Sequence, residues 1–219
     1  MRRTSPPLAT DHLVDELITD LRPVRPLRMQ SGLLLAAISL FATTIAALLI
    51  FGLRADMAAG SIAPLSLLAS GLFLLLGTAA SVTIISMGRP QVGNDHGGWK
   101  WAAAMTALLP ATAIGLTMLN GPHALNHAMP EAGIRCLLQG GELGLITATA
   151  LTLWLRRGAP TSPNAAGLLV GIAAGSIGIF AYSLHCGISD IYHIGLWHSL
   201  TVVTAAAIGR MLVPHLLRW

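Results

Sequence analysis

Charge is what this chain lacks most. Of 219 residues only 22 are charged, 13 Lys or Arg and 9 Asp or Glu, where soluble proteins carry roughly 25%. That scarcity excludes a soluble enzyme with a solvated charged shell, and equally a disordered chain. The formal net charge of +4 is spread too thinly for the continuous basic stripe that tracks phosphates, so direct nucleic-acid binding is excluded too. Cysteine is nearly absent, at two residues, which rules out a disulfide-stapled secreted module. Aromatics are sparse, at 5%. What is abundant is aliphatic surface: 54% of residues are hydrophobic and the mean hydropathy is +0.70. An all-α integral membrane protein is the class that remains.

The charges that exist cut the chain into apolar runs. A helix needs about 20 apolar residues to cross the hydrocarbon core, and six such spans fit, at about 32–53, 63–87, 100–119, 135–155, 165–185 and 195–214. Backbone groups in lipid must be satisfied internally, so helices are expected; a barrel would show short alternating segments, and these runs do not alternate. The expected architecture is a bundle of six transmembrane helices (32–219) behind a polar tail (1–31). Arginine and lysine sit in the tail (Arg2, Arg3, Arg22, Arg25, Arg28), around the second loop (Arg89, Lys100), in the fourth loop (Arg156, Arg157) and at the C-terminus (Arg218). The positive-inside rule therefore puts both termini in the cytoplasm, with the first loop (Arg54), the third (Arg135) and the uncharged fifth outside. Five tryptophans near helix ends, Trp154 and Trp101 among them, are expected at the interface. The thirty polar residues before a span too long for a signal h-region argue against a cleaved leader.

Small residues recur at four-residue spacing: Gly167, Gly171 and Gly175 in the fifth span, and Gly140, Gly144 and Ala148 in the fourth. Such faces let helix backbones approach closely in lipid. Packing within the chain is the favoured reading, and a homodimer the other.

The tail carries one patterned segment. In residues 11–21, Leu13, Leu17 and Leu21 recur every four positions with Val14 and Ile18 beside them, while Asp15, Glu16, Thr19 and Asp20 take the other side. That is an amphipathic helix, capped by Thr10 or Asp11 and stopped by Pro23. Its acidic polar face is wrong for an anionic leaflet. It either packs back on the bundle or docks into a partner's groove. Eleven residues are too few for a stable isolated helix, so the segment is expected to fold on binding.

The two cysteines form the second signal. Cys136 opens the fourth span and Cys186 closes the fifth. Consecutive helices run antiparallel, so both fall at one membrane face, the outer one. There they serve either as inert small hydrophobes, as a redox pair, or as a soft metal site for copper or zinc. Polar groups gather on the same face: His123, His127 and Glu131 in the third loop, then His185, Asp190 and His193, with His198 opening the last span. If 186–193 stays helical, Cys186, Asp190 and His193 share a face. The candidate metal ligands are Cys136, Cys186, His185, Asp190 and His193, although their spacing matches no standard zinc signature. Glu142, inside the fourth span, is an intramembrane carboxylate.

Several stretches together resemble a known family: Leu-Val-Asp-Glu-Leu-Ile-Thr-Asp-Leu-Arg-Pro-Val-Arg-Pro-Leu (13–27), Arg-Cys-Leu (135–137), Leu-Arg-Arg-Gly-Ala-Pro-Thr-Ser-Pro-Asn-Ala-Ala-Gly (155–167), Tyr-Ser-Leu-His-Cys (182–186), Trp-His (197–198) and Leu-Leu-Arg-Trp (216–219). In order and spacing they are similar to the NrsF-type six-span bacterial anti-sigma factors. The resemblance implies a negative regulator, without enzymatic activity, in the inner membrane. Its N-terminal segment (Leu13, Val14, Leu17, Ile18, Leu21) would hold an extracytoplasmic-function sigma factor in the cytoplasm. Cys136 and Cys186 would sense a heavy-metal or oxidative signal from the periplasmic side. Two rivals compete. A thiol or haem oxidoreductase would need a CxxC pair or histidines facing one another within the spans. A metal transporter would need polar ligands near midplane, and only Glu142 approaches that.

Overall fold

The computed structural model describes residues 9–19, 27–88, 98–120, 129–158 and 160–217, and within them the chain is helical, with no strand. The tail helix α1 runs Ala9–Thr19. Helix α2 (Met29–Phe51) leads through a single turn, α3 (Ala55–Ala58), into α4 (Pro64–Met87). Helix α5 (Gly98–Asn120) contains Pro110. Helices α6 (Pro130–Leu155) and α7 (Pro163–Ser183) follow, and α8 (Ile191–Leu216) closes the chain. Five helices, α2, α4, α6, α7 and α8, are long and apolar enough to cross a membrane; α5 stands where the third span is expected.

Helix starts follow local chemistry. Pro64, Pro130 and Pro163 each begin a helix, where proline's fixed φ suits the first turn and its missing N–H costs nothing. Polar side chains on the apolar helices return their hydroxyls to the preceding turn, as Ser81 does to the Gly77 carbonyl at 2.8 Å. Others tie helices together: Thr43 on α2 meets Thr147 on α6 at 3.4 Å, and Ser70 on α4 meets Ser183 on α7 at 2.8 Å.

Helix α7 is the axis of the bundle. From Ala165 to Ser183 only Leu168 and Phe180 are not fully buried. It packs against α8, α6, α4 and α2, and its glycines make that possible. A Cβ on Gly171 would collide with the Ala205 carbonyl of α8, and one on Gly178 with the Gly140 carbonyl of α6. Gly167 and Gly175 lie equally tight on α8, and Gly144 on α7. The small-residue faces are thus used inside the chain, backbone against backbone, as small side chains allow.

The tryptophans divide. Trp101 is 73% exposed, whereas Trp154 is 3% exposed, wedged beside Gly32 and Gly88. The expectation that Trp154 marks an interface is corrected: glycines on two neighbouring elements open a slot that its ring fills.

Candidate functional site: a buried cysteine–histidine cluster

At the end of the bundle where α2 and α7 finish and α4, α6 and α8 begin, four side chains converge. Cys136 comes from the second turn of α6 and Cys186 from the loop after α7. His193 and His198 come from the first turns of α8. One sulfur or ring nitrogen from each lies within 4.8 Å of all the others, and all four residues are buried. The sulfurs are 3.7 Å apart, and Nε2 of His193 sits 3.3 Å from Sγ of Cys136 and 3.7 Å from Sγ of Cys186. Both cysteines are free thiols. The His193 and His198 rings meet edge to face with centroids 5.5 Å apart, and Phe73 of α4 lies 6.1 Å from His198. Nε2 of His198 is buried and has no hydrogen-bond partner.

Local backbone explains the convergence. After α7 ends at Ser183, residues 186–190 have no helical structure. The premise of a continuous helix through 186–193 therefore fails; a loop, not a shared helix face, brings Cys186 to His193. Asp190 is the N-cap of α8, its carboxylate accepting from the backbone N–H of Tyr192 at 2.8 Å and of His193 at 3.3 Å. Both bonds go to Oδ1, so Asp190 positions the His193 backbone as a cap, and it is not among the four residues that converge. His185 also lies apart, its ring against Phe51 and Tyr182 at 5.6 Å each.

His198 is the member that sequence reasoning left out. Five residues separate it from His193, which on an α-helix puts the two side chains about 140° apart. The segment Ile194–His198 is a π-helix. Its i→i+5 bonding brings residues five apart almost one above the other, and such turns recur at functional sites. Nothing in the sequence announces a π-turn. Trp197, within it, covers Gly133 of α6 so closely that any Cβ there would enter the indole.

A second feature also escaped the sequence reading: a clamp on the cysteine loop. Arg54, after α2, is buried and makes two bonds to Asp56, Nε to Oδ1 at 2.6 Å and Nη2 to Oδ2 at 2.7 Å. Its Nη2 also donates to Oγ of Ser189 at 2.9 Å, and Ser66 of α4 donates to the same oxygen at 2.8 Å. The Arg54 N–H bonds the Leu184 carbonyl at 2.9 Å. Both ends of the loop that carries Cys186 are therefore tied to Arg54. The guanidinium holds the Asp56 carboxyl below the usual carboxylate range.

The remaining site residues of the sequence reading fall elsewhere. Leu13, Val14, Leu17 and Ile18 of α1 are between 50% and 60% exposed. No other helix packs extensively on α1 among the described residues. Leu21 lies outside the described residues, as do His123 and His127. Glu142 is on a different side of α6 from the cluster and opens onto an apolar groove of about 690 Å³ between α6 and α8.

Comparison with known proteins decides the family. The family model described as "Negative regulator of sigma F" matches residues 17–219. The chain belongs to the NrsF family. It is 29% identical over 222 residues to the anti-sigma-F factor NrsF of Caulobacter vibrioides, covering 97% of this chain and all of that protein. It is 25% identical over 179 residues to the probable anti-sigma-F factor NrsF of Azospira oryzae, covering 80% of this chain and 83% of that one. No solved structure matches. The NrsF match begins inside α1, at Leu17, so it takes in Leu17, Ile18 and Leu21 of the stripe and all four members of the cluster.

Proposed function

We propose that this NrsF-family chain is a membrane-embedded anti-sigma factor. Its output is the α1 stripe and its input is the cysteine pair. The observation that carries the reading is the state of α1: four large apolar side chains exposed on one face of a helix against which nothing else packs extensively. An unpartnered amphipathic helix suits the helix-in-groove mode, and the family supplies the partner class, a sigma factor; our reading takes it to be of the extracytoplasmic-function type. Helices α2, α4, α5, α6, α7 and α8 serve as six spans of the inner membrane. Arginine placement puts α1 in the cytoplasm and the cluster near the outer face.

In the resting state α1 masks the sigma factor. A thiol-directed signal, metal ion or oxidant, changes the contacts of Cys136 and Cys186, and with them the relation of α6 to the α7–α8 loop. Release follows only if signal and sigma factor favour different arrangements of the bundle. The test is transcription from a promoter of the cognate sigma factor. Deleting the gene should raise that transcription without stress, and Cys136→Ser or Cys186→Ser should abolish the change that cadmium or peroxide produces in the wild type. A silent promoter after deletion removes the anti-sigma role; a normal stress response in both cysteine variants removes the sensor role.

A further inference from the structure

The geometry points to a closed, tetrahedral metal site made by Cys136, Cys186, His193 and His198, built for a divalent d¹⁰ cation of the zinc and cadmium class.

Distance is the first argument. With Zn–S about 2.3 Å and Zn–N about 2.0 Å, a tetrahedral ion sets its sulfurs about 3.8 Å apart and sulfur to nitrogen about 3.5 Å. The chain places its sulfurs 3.7 Å apart and the His193 nitrogen 3.3 and 3.7 Å from them. All four ligand atoms lie within 4.8 Å of one another, about 1 Å wider than such a shell, so a small inward movement of side chains closes it.

The second argument is the unpaired nitrogen. Nε2 of His198 is buried in a residue only 3% exposed, with no hydrogen-bond partner. A buried polar atom without a partner is destabilising, and a metal bond satisfies it. Charge is the third. Two thiolates balance one divalent ion, so the loaded site is neutral, as burial at the end of an apolar bundle demands. Binding replaces two S–H bonds by two metal–sulfur bonds and sends two protons to solvent. Four protein ligands leave no open position, which marks a structural or sensing site rather than a catalytic one. A small cleft lined by Arg54, Ser66, Ser70, Ser183, Cys186 and His198 borders the cluster on the α4 side.

Occupancy joins α6, the α7–α8 loop and α8 through one ion. That consequence rests on the sensing reading above; the binding site itself does not.

Full-length protein, purified in detergent, reduced and stripped of metal, is titrated with Co²⁺, Zn²⁺ and Cd²⁺. One ion should bind per chain. Cobalt should bind with release of two protons and show the intense visible bands of a tetrahedral thiolate–imidazole site, and zinc should displace it with no further proton release. X-ray absorption on the zinc-loaded wild-type protein should report two sulfurs at about 2.3 Å and two nitrogens at about 2.0 Å, a measurement that needs no variant to fold. His193→Ala and His198→Ala should each weaken binding by more than the roughly 10–100-fold typical of an outer-shell partner, whereas His185→Ala and Asp190→Asn should leave stoichiometry and spectrum unchanged. No retained ion in folded wild-type protein, or a shell without both nitrogens, overturns the site. The two readings fail separately. A bound ion with a normal stress response in both cysteine variants keeps the site and removes the sensor. No ion with a lost response in those variants does the reverse.

Discussion

Helix α1 and the cysteine–histidine cluster are built on opposite principles. In α1, apolar side chains 50% to 60% exposed line a helix on which no other element packs extensively among the described residues. In the cluster, titratable side chains that normally seek water are buried, His193 completely and Cys136 to within 2%. Each inverts the usual rule that apolar groups go in and ionisable ones stay out. An inversion of the first kind marks a surface awaiting a partner. One of the second kind marks groups held together for their chemistry. A regulator needs both, and the bundle keeps them on separate elements.

The comparison can be broken most severely at α1. Replacing Leu13 and Leu17 by Asp should abolish retention of the sigma factor by full-length protein. Central apolar anchors cost about 2 kcal/mol or more each, so affinity should fall by at least several hundredfold. The same double variant should leave the unfolding midpoint of the bundle unchanged, because exposed positions contribute within about 0.5 kcal/mol. A lowered midpoint would show that α1 packs on the bundle instead.

The converse substitution sits in the axis. Gly178→Val should destabilise the protein by about 1–3 kcal/mol, the usual cost of overpacking, because its side chain would have to displace the α6 backbone at Gly140 and Gly144. Detergent unfolding should show the loss. An unchanged midpoint would mean that α6 and α7 are not in backbone contact.

The smallest effect belongs to the clamp. Asp56 has its carboxyl pKa held down by Arg54. A carboxyl with a lower pKa folded than unfolded adds stability that is present above its unfolded value and lost as pH falls through the folded one. Wild type should therefore exceed Asp56→Asn in stability at neutral pH, and the gap should close below about pH 4. A gap that persists into stronger acid would show that the Arg54–Asp56 bond is not its source.

How much of this was legible beforehand follows from the range of the forces involved. Hydropathy and periodicity are local. They located the helices within a few residues, from Met29–Phe51 for an expected 32–53 to Ile191–Leu216 for an expected 195–214, and they picked out the α1 stripe. The four-residue glycine spacing disclosed which faces are tight. Alternation of direction between consecutive helices put Cys136 and Cys186 at one end, and the structure places their sulfurs 3.7 Å apart.

What sequence alone could not decide depends on departures from ideal helix. The ligand grouping assumed an α-helical face through Cys186, Asp190 and His193. A non-helical loop replaced it, which turned Asp190 into a cap, and a π-turn rotated His198 inward. Arg54 looked like a loop charge and is a buried tether, because its partners are Asp56 of α3 and, far along the chain, Ser189 and the Leu184 carbonyl at the two ends of the α7–α8 loop. The sequence by itself determined the all-helical class, the long apolar helices and the family, since these rest on composition and short-range order. Only tertiary structure decided which four side chains meet, since that rests on a turn widened by one residue and a loop tied at both ends.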